Sequence, residues 1–171
     1  MKRKLLIASF LLILLSFCIP GKKPLRIFMA GDSTMQHYDT SRTPQRGWGQ
    51  VLPEYFDAET RIVNKARGGR STKSFIAEGL WQSIVDSLQP GDYVLIEFGH
   101  NDASKNKPER YTTPDQYEVN LKRMIKEVRL KKAVPILLTP IARRNFDKES
   151  HYKESHLAYS PRVRTVSADL K

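Results

Sequence analysis

Cysteine is nearly absent from this chain: Cys18 is the only one among 171 residues. An intrachain disulfide is therefore impossible, so the fold must hold by packing, and thiol catalysis and a cysteine-built zinc site are excluded. Acidic residues are also scarce, 18 against 29 Lys and Arg, leaving a formal net charge of +11. No apolar run is long enough for a membrane span. The longest, Leu5 to Pro20, falls short of the roughly 20 residues that cross a bilayer. Internal repeats, low-complexity segments, zinc fingers and RNP-type motifs are all missing, which removes the usual signatures of nucleic-acid binding.

The start of the chain reads as an export signal over residues 1–20. Lys2-Arg3-Lys4 is a basic n-region and the apolar stretch to Pro20 follows it. Leu15-Ser16-Phe17-Cys18 has the outline of a lipoprotein box, with Phe17 where a small residue is expected, so Cys18 is a candidate lipid anchor. The protein is then periplasmic, cell-surface or secreted. Removing Lys2, Arg3 and Lys4 lowers the formal charge only from +11 to +8. A basic exported protein points to an anionic partner, and acidic polysaccharide fits that compartment better than nucleic acid. Surface solubility alone accounts for the charge equally well.

Residues 24–171 read as one domain with an ordinary balance of 40% hydrophobic and 27% charged residues. Short apolar runs at Leu25–Met29, Arg61–Asn64, Asp92–Phe98 and Ala133–Leu138 read as strands. Between them, Trp48 opens a short helix that Pro53 limits. From Ser74, apolar Ile76, Leu80, Ile84 and Leu88 recur every four residues, which reads as one amphipathic helix. Gly79 inside it costs about 1 kcal/mol relative to alanine. Thr113-Pro114-Asp115-Gln116 opens another helix with a capping box, and Ser160-Pro161 begins a last one. Alternating strands and helices predict a three-layer α/β/α sandwich on a parallel, flavodoxin-like sheet. Such sheets normally have at least five strands, so one strand-helix unit is expected to be lacking at the carboxyl end.

Three polar blocks fall just after predicted strands: Gly31-Asp32-Ser33-Thr34-Met35, Asn64-Lys65-Ala66-Arg67-Gly68-Gly69-Arg70-Ser71, and Glu97-Phe98-Gly99-His100-Asn101-Asp102. They would line the sheet edge where open α/β folds bind ligands. A serine for attack, a glycine N–H open to close approach and an asparagine amide suit acyl transfer through an oxyanion.

With Gly47-Trp48-Gly49 and Ser74-Phe75 added, these blocks resemble the SGNH (GDSL-type) hydrolases, most of all the rhamnogalacturonan acetylesterases of carbohydrate esterase family 12. The resemblance runs from about residue 25 to the end of the chain. It implies Ser33 as nucleophile, with the N–H groups of Ser33 and Gly69 and the Asn101 amide as the oxyanion hole. Asp32 fixes the turn and Asn64 braces the second loop. No metal or organic cofactor is implied, and the protein is expected to be a monomer. Trp48, Arg70, His100 and Arg143 are candidate substrate contacts. Arg67, Arg70, Lys73, Arg143 and Arg144 are candidates to meet uronate carboxylates.

The family's general base lies in an Asp-x-x-His block, and no such block occurs here. Asp147 and His151 are four apart, His156 has no aspartate three before it, and His37 reads as a bystander. The expectation is a chain cut before that block. The parent would be a serine esterase removing acetyl groups from acidic pectic polysaccharide, with little activity in this piece. The alternatives are a GDSL-type lipase or thioesterase, and a catalytically incomplete glycan-binding fragment.

Overall fold

The structure, a computed structural model, describes residues 23–170. The export signal expected over residues 1–20, with Cys18, lies outside the described residues. Four parallel strands form one sheet in the order β2-β1-β3-β4: β1 Arg26–Gly31, β2 Arg61–Asn64, β3 Tyr93–Glu97 and β4 Val134–Leu138. This is the alternating α/β arrangement that the sequence predicts, with β1 central and β3 beside it. Arg26, the one charge in β1, is held at the start of the strand. Its Nε donates to Asp92 Oδ1 at 2.8 Å, and its Nη2 pairs with Asp92 Oδ2. Asp92 also accepts from Gln89 N–H at 2.6 Å, so it closes the turn before β3 instead of extending the strand.

Alternation along each strand separates the two faces. Phe28 and Ala30 of β1 join Val94 and Ile96 of β3 in the main core, against Phe75, Trp81, Leu121, Met124 and Val163. The helices on that face are α2 Thr72–Ala77, α3 Leu80–Ser87, α4 Pro114–Leu130 and α5 Ser160–Asp169. Met29 points the other way, where its methyl group meets Gly49 of the short α1 Trp48–Val51. A 3-10 turn, Leu52–Tyr55, continues α1 with Pro53 in its first turn. On β4, the outer strand, Val134 and Ile136 are exposed.

Two local expectations are corrected. The capping box predicted at Thr113 is half formed: Thr113 accepts from Gln116 N–H, but the Gln116 side chain turns to Asn120 Oδ1 at 3.0 Å. A complete capping box stands instead at Ser71 and Ser74, starting α2. The single helix predicted from Ser74 is two helices, α2 and α3, divided at Gly79 with φ 73°. Four-residue spacing carried through the break, so periodicity alone could not reveal it.

The division reverses the sign of a substitution. Inside a helix, Gly79→Ala would stabilise by about 1 kcal/mol. In the left-handed conformation a Cβ meets nothing within 4 Å, so only backbone strain remains, roughly 1–2 kcal/mol of destabilisation. Urea denaturation of Gly79→Ala should show a lowered midpoint, and a raised one would restore the single helix.

Candidate active site

β1 runs out at Gly31, and the next residues turn sharply. Asp32, fully buried, accepts from Thr34 N–H at 2.9 Å through Oδ1, while its backbone carbonyl accepts from Gln36 N–H at 3.0 Å. That fixes the turn and leaves Ser33 half-buried at the carboxyl end of the central strand. The Tyr38 hydroxyl donates to the Ser33 carbonyl at 2.9 Å, closing loop 35–46 back on it.

Glu97, at the end of the adjacent β3, ties this turn to α1. Its carboxylate accepts from Trp48 Nε1 at 2.6 Å, and the Thr34 hydroxyl lies 2.8 Å from Oε1. The same hydroxyl lies 2.9 Å from Asp32 Oδ1, and one hydrogen cannot serve both carboxylates. Burial first, and the nearby Asp32 charge after it, raises the Glu97 pKa against the opposing hydrogen bonds. Gly47 sits where the chain must pass close: a Cβ there would lie 2.1 Å from the Gln36 carbonyl oxygen. Trp48 N–H donates to Thr34 O at 2.9 Å in the same contact.

The loop after β2 is braced to the Ser33 turn from both ends. Asn64 Nδ2 donates to Met35 O at 2.8 Å and Asn64 Oδ1 accepts from Ala66 N–H at 3.0 Å. Gly68 N–H donates to Gln36 Oε1 at 2.5 Å. Gly69 follows with φ 80°, the left-handed region open to glycine.

In the third loop, Asn101 Nδ2 donates to Arg70 O at 2.9 Å, joining that loop to the second. Asp102 is buried and accepts from Thr72 N–H at 3.1 Å and the Thr72 hydroxyl at 2.6 Å; burial pushes its pKa up to about 6. The Tyr159 hydroxyl donates to Thr112 O at 2.7 Å and lies 3.1 Å from Asp102 O, so α5 anchors the loop as well. Beside it opens a cleft of about 760 Å³ lined by His100, Lys105, Arg143, Arg144 and His156, with no carboxylate in its wall.

The three predicted loops therefore stand together at one end of the sheet. Asn64 has the bracing role expected of it. Trp48 is half-buried with its indole N–H committed to Glu97, so that polar group is not free for a sugar. Arg70 is engaged internally, through Glu78 at 3.0 Å and Gly68 O at 2.9 Å, and Lys73 Nζ reaches Pro108 O at 2.9 Å. Arg143 is exposed and donates to His100 Nδ1 and His100 O, both at 3.2 Å. His100 Nδ1 is thus an acceptor, and burial lowers the His100 pKa.

Gln36, Tyr38 and Glu97 were missed as supports of the site. Gln36 and Tyr38 lie in a polar loop with no periodicity, and Glu97 in an apolar strand. Asp147, Glu149 and His151 bring ligand atoms within 4.8 Å of one another, a grouping the spacing did not suggest. Asp147 Oδ1 there already accepts from the Glu149 and His151 N–H groups, which accounts for the turn.

No histidine among the described residues is hydrogen-bonded to the Ser33 hydroxyl. His37 and His151 are exposed. His156 is buried with its ring 4.4 Å from that of His100, and neither of its nitrogens has a hydrogen-bond partner among the described residues. Burial, then the neighbouring His100 and Arg143, lowers its pKa to about 4. Between the ordinary value of 6.5 and about 4, the unfolded chain takes up a proton there that the folded chain refuses. This contribution to stability is therefore whole above pH 6.5 and is lost as pH falls towards 4. Unfolding free energies of wild type and His156→Leu should diverge across that window, wild type losing more. Parallel pH profiles would contradict the assignment.

A family model described as GDSL-like Lipase/Acylhydrolase matches residues 29–171. The chain is 48% identical over 122 residues to a protein of Bacillus subtilis (strain 168) named Probable rhamnogalacturonan acetylesterase YesY, covering 71% of this chain and 56% of that one. It is 36% identical over 149 residues to Rhamnogalacturonan acetylesterase RhgT of the same organism, covering 87% and 63%. The chain thus spans little more than half to just under two thirds of these relatives. The crystal structure of the YxiM protein of Bacillus subtilis superposes with a TM-score of 0.74 at 29% identity, covering 85% of this chain and 41% of that chain. By sequence, sheet order and the loops that carry Ser33, Gly69 and Asn101, the chain belongs to the GDSL-like Lipase/Acylhydrolase family.

Proposed function

We propose that the protein is a serine esterase that removes acetyl groups from acidic pectic polysaccharide outside the cytoplasm. The observation that carries this reading is the convergence of the three loops after β1, β2 and β3, cross-linked through Gln36, Asn64 and Asn101. Ser33 attacks the acetyl carbonyl carbon. The carbonyl oxygen takes up negative charge and is held by the N–H groups of Ser33 and Gly69 and by the Asn101 amide. Collapse breaks the bond to the sugar oxygen, which leaves as an alcohol carrying the proton that the Ser33 hydroxyl gave up. Water then attacks the acetyl-enzyme, releasing acetate and restoring Ser33.

Acetylated rhamnogalacturonan is the favoured substrate. The names of YesY and RhgT support it, and so does the carboxylate-free cleft lined by His100, where Lys105, Arg143 and Arg144 would meet uronate groups. Among the candidate cations, Arg143 and Arg144 line that cleft, whereas Arg70 pairs with Glu78 and Lys73 reaches Pro108 O, both outside it. Export belongs to the same reading, since the polymer is extracellular, and Cys18 is the candidate lipid anchor.

Acetate release from acetylated rhamnogalacturonan, measured beside hydrolysis of a lysophospholipid and a long-chain acyl thioester, tests the reading. The polysaccharide should be preferred, and Ser33→Ala should lower kcat, by less than in a complete triad because no histidine among the described residues is hydrogen-bonded to the Ser33 hydroxyl. Preference for the lipid or thioester would refute the substrate. Undiminished turnover by Ser33→Ala would refute the mechanism. Binding of the polymer without any acetate release would leave a glycan-binding protein in place of an esterase.

A further inference from the structure

We infer that Arg110 is a positioning residue that sets the polarity of the oxyanion hole; this rests on the esterase reading above. One nitrogen of its guanidinium, Nη1, donates to two groups, Asn101 Oδ1 at 3.1 Å and the Gly69 carbonyl at 3.2 Å. Those are two of the three residues of the hole, one from the second loop and one from the third. A Cβ on Gly69 would lie 3.1 Å from this same nitrogen, so the guanidinium packs directly on the glycine.

The Asn101 amide can rotate by half a turn at little intrinsic cost, because terminal torsions of this kind are broad and roughly two-fold. One orientation offers an N–H to an oxyanion and the other offers an oxygen. Here Oδ1 faces Arg110 while Nδ2 faces Arg70 O. A flip would set carbonyl against carbonyl and amide hydrogens against a cation. Arg110 therefore selects the orientation in which the remaining Nδ2 hydrogen is free to donate. Gly69 is steadied in the same way: Gln36 holds the preceding N–H and Arg110 holds its carbonyl, either side of a residue with unusual backbone freedom.

Arg110 is itself fixed. Its side chain is 19% exposed, its N–H donates to Lys107 O at 3.0 Å, and its carbonyl accepts from the Thr112 hydroxyl at 3.2 Å. Glu109 Oε1, 3.7 Å from Nε, is the only carboxylate paired with it among the described residues, and that side chain is 69% exposed.

The test is a double-mutant cycle on hydrolysis of 4-nitrophenyl acetate by the full chain. Arg110→Ala should lower kcat about 10- to 100-fold with KM nearly unchanged, a share of the roughly 10²–10³-fold carried by one oxyanion donor. The Arg110→Ala, Asn101→Ala double variant should be little slower than Asn101→Ala alone, and guanidinium chloride should partly restore Arg110→Ala but not the double variant. Additive losses would mean that Arg110 merely stabilises the loop and would overturn the proposal. Asn101→Ala as active as wild type would instead defeat the oxyanion reading. Orientation is read without turnover from the side-chain carboxamide resonances of Asn101 in 15N-labelled chain. Arg110→Ala should shift and broaden them, whereas unchanged resonances would overturn the proposal whatever the rates.

Discussion

A buried carboxylate holds the active end of this molecule together. Glu97 lies at the end of β3, almost wholly shielded from solvent, beside the Thr34 hydroxyl and the Trp48 indole N–H. An unpaired charge in that position would be costly, so the turn carrying Ser33 and the helix carrying Trp48 are obliged to come to it. Hydrogen bonds to a charged group are also the stronger kind. The sheet puts β1 beside β3; Glu97 converts that adjacency into a fixed position for the residue after Asp32.

The other two loops are then fastened to the first by single side chains that cross large gaps in sequence. Asn64 and Gln36 join the second loop to the first, and Asn101 joins the third to the second. Each bond is modest, about 1 kcal/mol net. Their value lies in geometry, since a catalytic site gains from donors already aimed where charge will develop. The glycines serve the same end: Gly47 admits the Gln36 backbone and Gly69 adopts a conformation that other residues resist.

β1 and β3 were legible because buried parallel strands are apolar at nearly every position, and all four strands lie within a residue or two of their expected limits. The meeting of the three loops that carry Ser33, Gly69 and Asn101 was legible because polar blocks after strands fall at one edge of such a sheet; the roles of those residues come from the family resemblance. The break at Gly79 was not, because Ile76, Leu80, Ile84 and Leu88 keep helical spacing across it. Nor was the network of Gln36, Glu97 and Arg110. A polar side chain that reaches a partner thirty or sixty residues away leaves no period and no local pattern to read. Trp48 illustrates the point: its indole N–H goes to the Glu97 carboxylate, 49 residues further along the chain.

A crystal structure of the chain carrying a methylphosphonate on Ser33 tests the central claim most directly. The account predicts the phosphonyl oxygen within about 3.1 Å of the Ser33 and Gly69 nitrogens and of Asn101 Nδ2. An oxygen that points away from the Gly69 and Asn101 donors, or an adduct on a residue other than Ser33, would contradict it.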